Sequence, residues 1–158
     1  GDFVEMTKVV RLDHIAFAVD DLEQAIIFAI EKYGAKFIIR HDDDKQKISF
    51  AILQLGECIL SLDAPLKGEG FIKEFLDKKG QGVHHLGLEV ENLVEYVKEL
   101  EFKGVKVPVK QFAGDGRKEA LVSLKDAFGT VVQLIEWKGG ADISVNERIN
   151  RMRRYHTT

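Results

Sequence analysis

The chain changes its hydrophobic period in a fixed order, and it does so twice. A strand-like run, LDHIAFAV at residues 12–19, passes into Leu22, Ala25, Ile26, Ala29 and Ile30. That spacing predicts an amphipathic helix, with Gly34 as its left-handed cap. Strand alternation returns in AKFIIR, KISFAILQL and CILSLDAP, with a turn at Gly56-Glu57. The second pass opens on VHHLGLEV at residues 83–90. Its helix is striped by Leu93, Val97 and Leu100, with Asn92 as N-cap, Glu95 three positions on and Gly104 at the end. VKVPVK, EALVSLK and TVVQLIEW then read as strands, with a turn at DAFG. Laying His14 on His85 puts Val19 on Val90, Asp20 on Glu91 and Leu22 on Leu93. The chain is therefore an internal repeat of two β-α-β-β-β modules.

Between the modules, Phe71, Ile72, Phe75 and Leu76 predict a linking helix over 70–79 that stops at KKGQG. Pro108 falls within VKVPVK and marks an edge or a bulge, because a central strand would need its missing N–H. After the second module, Ser144-Val-Asn-Glu147 has capping-box form, and Val145, Ile149 and Met152 line one helical face. Arg148, Arg151, Arg153 and Arg154 lie toward its C-terminal end, where the helix dipole favours cations. This tail reads as a docking or dimer-contact helix. The expected class is α+β: one domain over 10–138, with modules 10–65 and 82–138, and a helical tail over 139–158.

Composition narrows the function. The 158 residues are 45% hydrophobic and 31% charged, enough for a real core. A net charge of −3 leaves no basic face for nucleic acid. No apolar run approaches a bilayer span and no charged-then-apolar leader opens the chain, so no membrane partner is expected. Cys58 is the only cysteine, which excludes an internal disulfide and a thiolate cluster. It reads as a small core residue in a reducing, cytoplasmic protein.

The candidate chemistry lies on the repeated strands. Alternation puts His14, Ala16 and Ala18 on one face, and His85, Gly87 and Glu89 on one face. The small residues beside each histidine leave room for a ligand. Modules packed side by side into one curved mixed sheet would turn both imidazoles into the same cavity. The last strand of each module offers Ser61 and Asp63, and Gln133. His84 points the other way and reads as a packing residue, and Glu136 has the wrong parity to replace Gln133.

Over nearly its full length to Trp137, the chain resembles the vicinal oxygen chelate superfamily, the glyoxalase fold. FIKEFLDKKGQGVHHLGLEVENL followed by KELEFKGVKV is most similar to the methylmalonyl-CoA epimerases. The resemblance implies paired βαβββ modules around a divalent metal ion, held by first-strand and last-strand side chains at His14, Ser61, His85 and Gln133. Cobalt, zinc, nickel, manganese and iron all remain open as the ion. It further implies removal of the proton α to a thioester carbonyl of an acyl-CoA, in a homodimer. One family base maps approximately onto Asp44 in RHDDDKQ, with Asp42 and Asp43 as neighbours in the same loop. The second maps onto Gln133, which accepts no proton at neutral pH, and Ser61 stands where the family carries glutamine or glutamate. Two imidazoles and an amide hold a divalent ion less tightly than a set with carboxylates.

Plainer readings stand beside these. A strand histidine is commonly a satisfied core residue, and RHDDD is commonly a solvated acidic loop. Lys67, Lys73, Lys78 and Lys79 would suit a CoA phosphate or simply be scattered surface charges. Three functional classes follow. The first is a metal-dependent epimerase or isomerase. The second is another superfamily metalloenzyme, a glyoxalase-type lyase or ring-cleaving dioxygenase. The third is a metal-free module that binds a small molecule.

Overall fold

The structure, a computed structural model, describes residues 9–157. Its first module runs β1 (Val9–Ala18), α1 (Leu22–Tyr33), β2 (Lys36–Asp43), β3 (Ile48–Leu55) and β4 (Cys58–Pro65). Helix α2 (Phe71–Lys79) leads to the second module, β5 (Gly82–Val90), α3 (Leu93–Phe102), β6 (Val109–Gln111), β7 (Arg117–Val122) and β8 (Val131–Trp137). Helix α4 (Val145–Thr157) closes the described chain. Both modules are the predicted β-α-β-β-β unit, and the C-terminal helix is present. No helix among the described residues is long and apolar enough to cross a membrane.

The helix boundaries follow from the caps that the sequence carries. Asp21 accepts from the Gln24 amide at the start of α1, and Gly34 ends it at φ 69°, where its N–H reaches the Ala29 and Ile30 carbonyls. Asn92 accepts from the Glu95 amide at the start of α3. Ser144 accepts from the Glu147 amide ahead of α4. Strand β6 is shorter than VKVPVK promised. It starts only after Pro108 and lies at the edge, paired with β7 alone. Cys58 is a correction: it is exposed, because it opens β4 directly after the Gly56-Glu57 turn.

Two compact units divide the described chain, residues 14–84 with 143–157, and residues 9–13 with 85–142. In the His14 unit the strand order is β2-β3-β4-β1, with β4 and β1 parallel and the other pairs antiparallel. Leu22, Ile26 and Ala29 of α1 pack on Ala51, Leu53, Leu60, Leu62 and Ala64, all buried. Every strand residue in that cluster has the opposite parity to His14, Ser61 and Asp63, so α1 covers the back of the sheet. The His85 unit repeats the plan in the order β5-β8-β7-β6. There Leu93 and Val97 of α3 pack on Val90, Ala120, Val122 and Leu134, which again leaves the histidine-bearing face to other work.

Candidate functional site

In the His14 unit the parallel register Ala16↔Ser61 and Ala18↔Asp63 sets His14, Ser61 and Asp63 on one face. All three are buried: His14 is 8% exposed, Ser61 9% and Asp63 4%. The Ser61 hydroxyl donates to Asp63 Oδ1 at 2.7 Å. Burial pushes the Asp63 carboxyl up from 3.8 to about 6, against the Ser61 hydrogen bond and the nearby His14 imidazole, which both pull it down. The Asp63 carboxyl thus titrates close to neutral pH inside a buried face, a combination typical of functional positions.

The same face carries Phe50, the strand partner of Asp63, and Ile52, the partner of Ser61. Helix α4 meets this face at Phe50. Arg148 donates to the Glu57 carbonyl at 3.1 Å, and the His156 ring stands edge-on to Phe50 at 5.1 Å. Arg148, Ile149, Arg151 and Met152 form the buried side of α4. Of the two readings of the tail, docking on its own chain is the one observed in this unit.

Asp44 lies elsewhere. It sits in the β2–β3 turn with its side chain 74% exposed, and Lys67 reaches it at 3.3 Å. Asp42 accepts from the Ser49 hydroxyl, and Asp43 accepts from the Lys45 and Gln46 amides, which shapes the turn. Lys73 pairs with Asp77, and Lys79 stands 5.6 Å over the Phe75 ring, so three of the four lysines have local partners. His84 packs against Phe71 and Phe75, as its parity predicted. Burial, helped by Lys79, holds its imidazole below the ordinary value.

In the His85 unit, the register Gly87↔Gln133 puts Gln133 on the face of His85 and Glu89. Glu89 is buried and ion-paired with Arg11, which also donates to the Ala141 carbonyl at 2.7 Å. Glu136 points the other way and accepts from the Leu93 amide at 2.7 Å, which caps α3. Sequence reasoning missed Glu119. Because Leu121 pairs with Gln133 in the antiparallel β7–β8 register, Glu119 stands diagonally beside Gln133 on the same face. Gln133 Nε2 donates to Glu119 Oε2 at 2.7 Å, and Arg117 Nη2 reaches the same carboxylate at 2.9 Å. The Arg117 guanidinium stacks 5.2 Å over Trp137, whose Nε1 donates to the buried Asp13 at 2.7 Å.

A divalent ion can be tested against these donors. Among the described residues, no group of three or more His, Cys, Asp or Glu side chains is disposed to hold a metal ion. Each unit nevertheless offers one imidazole and one neutral oxygen on a single face, His14 with Ser61 and His85 with Gln133. In each, a carboxylate takes a hydrogen of the neutral group, so that group's oxygen lone pairs stay available. The donor chemistry fits a divalent cation.

Comparison with known proteins agrees with the repeated module. Residues 13–122 match the family model described as the glyoxalase/bleomycin resistance protein/dioxygenase superfamily. The chain is 33% identical over 132 residues to the "uncharacterized protein YqjC" of Bacillus subtilis (strain 168), covering 82% of this chain and 94% of that protein. It is 31% identical over 130 residues to the mitochondrial methylmalonyl-CoA epimerase of Mus musculus, covering 80% and 73%. The crystal structure of methylmalonyl-CoA epimerase from Mycobacterium tuberculosis superposes with a TM-score of 0.73 at 28% identity, covering 85% and 92%.

Proposed function

The chain belongs to the glyoxalase/bleomycin resistance protein/dioxygenase superfamily, and on that premise we propose that it is an isomerase, a methylmalonyl-CoA epimerase-like enzyme acting on an acyl-CoA. The likeness to named epimerases in sequence and in structure supports the reaction class. The observation that carries the chemistry is Asp63, a buried carboxyl that titrates near neutral pH beside His14.

The hydrogen between a thioester and a carboxylate is weakly acidic. Its removal leaves an enolate, and the centre inverts when the proton taken is released to water and a solvent proton is delivered to the opposite face. A carboxyl buried on the face of His14 is placed to act as the base, and Asp63 meets that condition. The Ser61 hydroxyl fixes its Oδ1, which leaves Oδ2 to take the proton. Gln133 has no acid–base role at neutral pH. His14, Ser61, His85 and Gln133 are the proposed holders of a divalent ion. Such an ion would supply positive charge against the developing enolate. A homodimer and a cytoplasmic location complete the proposal on the family likeness and the single cysteine.

Methylmalonyl-CoA incubated with the protein in deuterated water tests this reading. Deuterium should enter the α-carbon. Asp63→Asn should slow entry by roughly 100-fold or more, the usual size of a lost general base. Asp44→Asn should cost less, because Asp44 is solvated and paired with Lys67. A larger loss at Asp44 would move the base to the β2–β3 turn, and no exchange in the natural chain would end the epimerase reading. One observation favours the metal-free binding module instead: α4 reaches Phe50, on the face that carries Ser61 and Asp63, through the His156 ring. Metal analysis of the purified protein separates the two.

A further inference from the structure

We infer that Glu119 is a positioning residue that turns the Gln133 amide so that its carbonyl oxygen is offered to a cation, with Arg117 holding Glu119 in place. The inference deepens the proposed metal site and rests on that reading.

An amide side chain can present either its oxygen or its NH2, and the two ends are nearly equal in size. What decides is the neighbour. An ionised carboxylate only accepts hydrogen bonds. Glu119 Oε2 at 2.7 Å from the Gln133 nitrogen therefore requires the NH2 to face β7. The reverse orientation would set two oxygens against each other. Gln133 Oε1 must then point away from Glu119, on the face that His85 and Gly87 share. A single side chain thus converts an ambiguous amide into a defined oxygen donor.

Glu119 is itself held firmly. Arg117 Nη2 meets the same Oε2 at 2.9 Å, and its guanidinium carbon stands 5.2 Å from the Trp137 ring centroid. Arg117 is only 11% exposed and Glu119 23%, so their attraction is weakly screened by solvent. The pairing anchors the carboxylate, so it acts through Gln133 from one strand away. Partners of this outer kind fix the orientation of metal-binding side chains and add to their basicity.

The other module repeats the device with different residues. There Ser61 gives its only hydrogen to Asp63 at 2.7 Å, so its remaining lone pairs are acceptors. In both modules the last strand carries a neutral oxygen donor with a carboxylate beside it that takes its hydrogen. A chance surface ion pair gives no reason for that to happen twice.

The test is a calorimetric titration of the full chain with cobalt(II), with circular dichroism and thermal melts run on every variant to verify folding. Glu119→Gln should weaken cobalt binding about 10-fold, the lower range for loss of an outer partner. Gln133→Ala should weaken it too. In the Gln133→Ala background, adding Glu119→Gln should then change nothing further, because Glu119 has no amide left to orient. A folded Glu119→Gln variant with unchanged affinity overturns the inference. So do losses that simply multiply in the double variant, or a natural chain that takes up no cobalt. Failure here is distinct from failure of the proposed reaction. Coupled losses in a chain that exchanges no α-proton keep the Glu119 assignment and end the epimerase reading, whereas exchange with unmoved affinity does the opposite.

Discussion

Replacing Asp63 by asparagine should make the protein more stable at neutral pH. Folding moves the carboxyl from 3.8 to about 6, chiefly by burial. Its folded value lies above its unfolded value, so the protonated form is the one the fold favours. The stability tied to this group is complete below about pH 4 and is lost as pH rises through about 6. A rise of that size corresponds to about 3 kcal/mol, an upper figure for the cost of carrying the charge at pH 7. Asparagine has the same shape, stays neutral, and can still accept from the Ser61 hydroxyl through its Oδ1. Asp63→Asn should therefore gain up to about 3 kcal/mol at pH 7 and almost nothing at pH 4. Urea unfolding of both proteins at pH 4, 5, 6 and 7, with a chelator present, measures the difference directly. Titration of all other groups largely cancels in that comparison. A variant less stable than the natural chain at pH 7, or a difference that does not vary with pH, would refute this reasoning. Retaining a group that costs this much fits a residue kept for chemistry rather than for the fold.

Two further outcomes follow from packing. Trp137→Phe keeps the ring under Arg117 but removes the 2.7 Å bond to Asp13, a carboxylate 1% exposed. It should cost about 1 kcal/mol in urea unfolding, the usual net worth of a hydrogen bond, and an unchanged midpoint would contradict that. Met152→Asp should loosen α4, since Met152 is 3% exposed and its burial is worth about 2 kcal/mol. Limited proteolysis should then cut faster ahead of Val145, and an unchanged rate would show that other contacts hold the helix.

The sequence was most informative where a property depends on near neighbours in the chain. Alternation set His84 and Glu136 on opposite sides from the candidate site, whereas joining Ser61 and Asp63 to His14 took the symmetry of the repeat and the family resemblance. Asn92 and Ser144 cap helices as their local spacing predicted, and Asp21 does the same ahead of α1 without having been singled out. Glu119 stayed hidden because its role depends on cross-strand register. EALVSLK read alone does not say which residue of TVVQLIEW each position faces, and a slip of one would send Glu119 to the α3 side. The exposure of Asp44 was legible in RHDDD as a solvated acidic loop, whereas its Lys67 partner, which comes from the loop after β4, was not. Cys58 fits its strand pattern but opens the strand, and position along the strand decided its exposure. The docking face of α4 was visible as a stripe, whereas its landing place beside Phe50 was not.

An epimerase of this kind inverts a carbon flanked by a thioester and a carboxylate. Following a single stereoisomer of methylmalonyl-CoA by chiral chromatography in deuterated water tests that inversion most directly. The opposite stereoisomer should accumulate and carry deuterium at the inverted carbon. Full retention of configuration with no label taken up, by folded protein supplied with cobalt(II), would contradict it.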